Sequence, residues 1–263
     1  MPGFRRRAAV LFVLFAAVSA GTAQQETNTP LNGLPGDSSA THEQLQYAIE
    51  WRLIPAGTAQ IDWNATPHSA AASELKMHLQ SAGLVSRLFR VDDEYQAMLN
   101  QNLCVQNTET MAHEGSRNRE THVAFDPLQR KAHYAEKDLN KNTTATQEVD
   151  IPPCVHDVLG GLLMLRNLKL EPGNVVQIPV SDGKKFAQVR VESQRREDLL
   201  TPMGMRKTIR YEVFLFDNVM YRRSGHLHIW LTDDNRRLPV QLQVRLQFTI
   251  GTLTFRLSKE EKS

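Results

Sequence analysis

Thirteen residues near the C-terminus, 238–250, constrain the fold of this chain more than any other stretch. Leu238, Val240, Leu242, Val244, Leu246, Phe248 and Ile250 occupy every second position, with Gln241, Gln243, Arg245 and Gln247 between them. A period of two is a strand with one buried and one wet face. After Gly251 the apolar set moves to Leu253, Phe255 and Leu257. That change of parity predicts a turn or bulge at the glycine, because a one-residue slip turns every later side chain to the wrong face.

The same alternation recurs at Leu45, Tyr47, Ile49, Trp51 and Leu53, and at Ala59, Ile61 and Trp63 after a predicted turn at Pro55-Ala56-Gly57. It returns at Leu75, Met77 and Leu79, at Ile209 to Leu215, and at Leu227, Ile229 and Leu231. Strands are further expected near 104–113, 117–126 and 129–137, with a hairpin turn at Asp182-Gly183 between 175–181 and 184–193. The polar stretch 138–150 reads as a loop, and 84–90 as a short helix. Only 155–168 reads as a longer helix. Its Val155, Val158, Leu159, Leu162, Leu163 and Leu165 cover most of the circumference, so it is expected buried on most sides. Glu171-Pro172-Gly173 closes it. About ten to twelve one-faced strands predict a mainly β fold, an antiparallel curled sheet or partly closed barrel, with that helix plugging the concave side.

The first 23 residues stand apart. Arg5, Arg6 and Arg7 precede an apolar run from Ala8 to Val18, and Gly21-Thr22-Ala23 before Gln24 fits a small-x-small cleavage site, with Ala20 as the alternative. The run is shorter than the ~20 apolar residues that span a bilayer. The expected organisation is a signal peptide at 1–23, a Pro/Gly/Ser-containing leader at 24–43 and a single β domain at 44–258. Export implies a soluble periplasmic or outer-envelope protein, peripheral to a membrane at most. The chain has 31 basic and 29 acidic residues, but the three arginines of residues 1–23 have no acidic counterpart there, leaving 28 against 29 once that segment is removed. That balance gives no basis for nucleic-acid binding. Cys104 and Cys154 most simply pair in an oxidising compartment, closing a loop worth about 4 kcal/mol; two buried free thiols or a reactive thiol are the alternatives.

An ordered set of short pieces resembles one bacterial exported family, domain of unknown function 3108. The run Tyr47 to Ala59 looks like its opening strand and turn. Phe125-Asp126, Ile151-Pro152, Asp157-Val158-Leu159, Leu165-Arg166 and Leu170-Glu171-Pro172-Gly173 follow in order. So do Asp182-Gly183-Lys184-Lys185, Ile229 to Asp234, Leu238-Pro239-Val240 and Ile250-Gly251, together spanning about 45–257. The resemblance implies an envelope protein of antiparallel β structure and carries no catalytic residues. The C-terminal tryptophan, acidic turn and Leu-Pro-Val are also similar to periplasmic lipoprotein carriers of half-barrel form. Since the family is bacterial, the acceptor patterns at Asn64-Ala65-Thr66 and Asn142-Thr143-Thr144 are discounted as glycosylation sites.

No serine-nucleophile elbow, zinc-protease helix, phosphate loop or dinucleotide fingerprint is present, so no catalytic residue and no cofactor are expected. His226 and His228 share a strand face and are the weak metal candidates, with Asp233 and Asp234 nearby. Their parity is opposite to Leu227, Ile229 and Leu231, which predicts two solvent-side histidines. Asp233-Asp234-Asn235 reads as a turn. The doublets Lys184-Lys185, Arg195-Arg196, Arg222-Arg223 and Arg236-Arg237 fall at strand ends, where they could meet anionic headgroups or simply be solvated. The favoured expectation is a non-enzymatic envelope protein holding a lipid-like ligand, or a lipoprotein, on a concave face walled by Trp51, Trp63, Tyr211 and Phe248. The rivals are an interaction module with a solid core and a hydrolase with scattered catalytic residues. The oligomeric state is not encoded in any feature of the sequence.

Overall fold

The computed structural model describes residues 41–65, 73–246 and 251–263. The expected signal peptide, most of the leader, and Phe248 and Ile250 lie outside the described residues. The N-terminal half is β1 (His42–Trp51), β2 (Ile54–Ala65), β3 (Ser73–Ser81), α1 (Gly83–Leu88), β4 (Val91–Leu99), β5 (Val105–Glu114), β6 (Arg117–Asp126), β7 (Lys131–Asp138) and β8 (Thr143–Asp150). After α2 (Val158–Asn167) come β9 (Val175–Ser181), β10 (Phe186–Thr201), β11 (Gly204–Val213), β12 (Gly225–Thr232), β13 (Pro239–Leu246) and β14 (Thr252–Lys262).

All 14 strands form one antiparallel sheet in the order β8-β7-β6-β5-β4-β3-β2-β1-β14-β13-β12-β11-β10-β9. The first and last strands therefore meet in the middle of the sheet, β1 beside β14. The link carrying α2 joins its two outer edges. Parity decides the concave face: Leu45, Trp63, Leu75, Ala97 and Val123 point inward on one half, and Val189, Tyr211, Ile229 and Leu242 on the other. Each fully buried leucine among them is worth about 1.5–3 kcal/mol.

The edges do not pair with each other, so the sheet is barrel-like without closing. Two contacts bring them together. Val155 and His156 run extended, not helical as expected: Val105 N–H donates to Val155 O, His156 N–H to Pro179 O, and Ser181 N–H to His156 O. Their backbone groups are thus committed to β5 and β9, and the helix starts only after its cap at Asp157. Cys104 and Cys154 form a disulfide that ties this segment to the start of β5. On the other side, the β9–β10 tip lies on β6 and β7, where Lys184 Nζ sits 4.3 Å from the Tyr134 ring centre and 3.2 Å from Glu136 Oε2.

Three expectations at element level change. β1 ends at Trp51, and Arg52 and Leu53, both at positive φ (49° and 70°), form the turn; Pro55-Ala56-Gly57 lies inside β2. A two-residue hairpin loop needs left-handed backbone at both positions, and neither residue type announces it. Residues 143–150 form β8, an edge strand exposed on both sides, held by its ladder with β7. β4 was not anticipated because Asp92, Asp93 and Glu94 hide the alternation of Tyr95, Ala97 and Leu99. The predicted turn at Gly251 is present, with φ 86° and Leu246 N–H donating to Gly251 O.

Candidate functional site

α2 lies on the concave face and is held there at both ends. At its N-terminus Asp157 is an N-cap of the kind expected from an acidic residue before an apolar run. Its Oδ1 accepts from Gly160 N–H at 3.1 Å and its Oδ2 from Leu159 N–H at 3.0 Å. Oδ2 also accepts from the Tyr95 hydroxyl on β4, at 2.7 Å. Burial, then the Asp157 charge, push the Tyr95 phenol well above its ordinary pKa, so it stays a donor. Beside it His156 donates from Nδ1 to Leu103 O at 2.7 Å. Burial holds this imidazole below the usual histidine range, and it is neutral at pH 7.

At the other end Arg166, itself buried, forms a two-pronged pair with Glu43 of β1, Nη1 to Oε2 at 2.7 Å and Nη2 to Oε1 at 3.1 Å. Its Nε donates to Arg237 O at 3.2 Å. The Arg237 guanidinium in turn donates to the Tyr211 hydroxyl, which donates to Leu170 O at 3.1 Å. Above the pair, burial raises the Tyr47 phenol, whose hydroxyl donates to Pro239 O at 2.8 Å. Two buried charges removed from water are tolerable only when matched this completely. The network fixes α2 against β1 and the β12–β13 turn.

Between these anchors α2 divides the concave side unequally. Toward β1–β3 it packs nearly shut, leaving about 10 Å³ beside Trp63 and Leu162, room for a single water at most. Toward β9–β13 it leaves an apolar chamber of about 70 Å³ between Gly161 and Leu165 on the helix and Val180, Val189, Val213 and Leu227 on the sheet. At the helix N-terminus a cleft of about 280 Å³ opens, lined by Tyr95, Thr108, Thr121, Asp157, Asp182 and Tyr221. Val158 and Leu159 line both spaces, so the apolar chamber and the polar-rimmed cleft adjoin at the first turn of α2. Such a combination is what a small-ligand site requires: mostly apolar lining with a few polar groups that fix orientation.

The residues singled out from sequence distribute differently. Trp63 is buried in the core of the N-terminal half, and Tyr211 in that of the C-terminal half, engaged with Arg237. Trp51 is half-buried with the Arg52 guanidinium 5.4 Å from its ring centre. None of these three lines the cleft or the chamber. His226 and His228 stack on the outer face, ring centres 6.2 Å apart, and both turn toward Glu212. Among the described residues no three His, Cys, Asp or Glu side chains converge in metal-holding geometry. Asp233 to Asn235 is a turn, with Asp234 Oδ1 accepting from the N–H groups of Arg236 and Arg237 at 3.0 Å each. Among the basic doublets Arg196 pairs with Asp233 and Glu171, Arg236 with Glu260, and Arg237 is buried. Asp157, Tyr95, Tyr221 and Gly161 were not foreseen as site residues; only the cap position of Asp157 left a trace in the sequence.

The fold is similar to a solved β-barrel-like protein of the DUF1849 family from Brucella abortus. That similarity has a TM-score of 0.58 at 7% identity and covers 85% of this chain and 98% of that one. A weaker likeness, TM-score 0.37 at 9% identity, covers 83% of this chain and 95% of a putative exported protein with YmcC-like fold from Bacteroides fragilis. No curated protein matches the sequence. A family profile described as protein of unknown function, DUF3108, matches residues 46–258, nearly the whole described sheet, and the chain belongs to that family.

Proposed function

We propose that this is an exported, non-enzymatic protein of the cell envelope that binds the apolar end of an amphiphile in the cleft at the N-terminus of α2. The observation that carries the reading is the apolar chamber adjoining the polar-rimmed cleft at Val158 and Leu159. The chamber is too small for several acyl chains, so the ligand is a single-chain species, with its head among Tyr95, Tyr221 and Asp182. Export is supported by the leader pattern at residues 1–23 and by the Cys104–Cys154 disulfide, a bond that persists in oxidising compartments. Native mass spectrometry of protein recovered from its own periplasm tests both parts. The expected species has lost its leader and carries one extractable acyl compound. Protein repeatedly recovered empty would overturn the ligand, and an unprocessed N-terminus would overturn the export.

A further inference from the structure

One end of the sheet bears an apolar surface that no described element covers. Leu53 of the β1–β2 turn is 83% exposed, and on or just after α1 Leu84 is 58%, Leu88 69% and Phe89 53% exposed. Leu84 and Leu88 stand four apart and share one helix face, and no residue of α1 is buried. The turn and the helix are neighbours: Ala82 N–H donates to Ala56 O at 2.8 Å, and a Cβ on Gly83 would lie 3.9 Å from Pro55 O. Phe89 reaches the β5–β6 turn, its ring 2.9 Å from where a Cβ on Gly115 would stand. Single exposed leucines are ordinary on a protein surface; a contiguous group on projecting turns marks a binding surface.

Charges of both signs surround it, and the cations include two without an ion-pair partner among the described residues. Arg87 closes α1, Arg90 follows it and Arg117 opens β6. The nearby carboxylates are engaged: Asp92 with His78 and Arg90, Asp93 with the His113 N–H, Glu114 with Arg119. Among the described residues Arg87 and Arg117 form no ion pair. A second copy meeting this face symmetrically would set these cations near their own counterparts, which disfavours self-association. An anionic bilayer matches both features, apolar side chains for the acyl boundary and guanidinium groups for the headgroups.

We propose that this end of the sheet docks the protein on anionic membrane surfaces, with Leu53, Leu84, Leu88 and Phe89 in the interface and Arg87 and Arg117 against phosphate. Among the described residues no helix is long and apolar enough to cross a membrane, so the contact is peripheral. The test is flotation of the exported protein with phosphatidylcholine vesicles, with and without phosphatidylglycerol. The expected result is partitioning onto the anionic vesicles only. Replacing Leu84 and Leu88 together by serine lowers it about a hundredfold without altering thermal unfolding, since both side chains are solvent-facing. Arg87→Glu with Arg117→Glu lowers it about tenfold at low salt. Absence of partitioning, or partitioning indifferent to the serine variant, would overturn the proposal. So would a wild-type dimer that the serine variant converts to monomer. Binding in the cleft is independent of these substitutions, so the two readings fail separately.

Discussion

A methyl group on Gly160 would stand 2.5 Å from Asp157 Oδ1, whereas one on Gly161 would meet only Val180 Cγ2, at 3.6 Å. Adjacent glycines therefore have different reasons to be there. Gly160→Ala displaces the cap carboxylate and is expected to cost about 1–2 kcal/mol. Gly161→Ala is expected to gain about 0.5–1 kcal/mol, because glycine is the poorer residue in a helix interior. Thermal unfolding of the two variants measures the difference in sign. His156 gives a prediction in pH. Its folded pKa lies below the unfolded value, so between the two the unfolded chain binds more protons. Its contribution is complete above the ordinary histidine pKa and is lost as pH falls through it toward the lowered folded value. His156→Asn, which keeps a donor near Leu103 O, is expected to flatten the fall in stability on acidification from neutral pH. His228, also held low by burial, leaves part of the slope in place.

At the scale of elements, the sequence was most legible where one face of a strand is dry. β1, β2, β11, β12 and β13 follow parity because their inward residues meet the core. β8 and β4 were not legible, since a strand stabilised by its ladder alone needs no apolar alternation, and acids on the wet face obscure a short one. α2 reads from sequence as greasy, but its charge has no local signal: Arg166 in its last turn meets Glu43 across 123 residues, and no local pattern forecasts that contact. Arg166→Met leaves a buried carboxylate without its partner and is expected to cost about 3–5 kcal/mol. Combining it with Glu43→Leu is expected to restore most of that, and denaturant titration of single and double variants gives the coupling. An additive double variant would show that the pair does not hold the helix.

For the whole molecule, a meander whose first and last strands pair at the centre leaves two outer edges to be managed. β8 is polar, and β9 is covered in part by Val155–His156, bridged to β5 through the disulfide. The same link sets α2 on the concave face. Parity told which residues face inward, yet not what else occupies that side. Trp63 and Tyr211, expected to wall a ligand, lie in the cores of the two halves and line neither the cleft nor the chamber. On the proposed function a guest enters beneath α2. Titration of the exported protein with a fluorescent single-chain fatty acid tests it directly, using Gly161→Leu to fill the chamber. The expected result is saturable binding of one probe per wild-type chain and none by the folded variant. Equal binding by both proteins, or by neither, would contradict it.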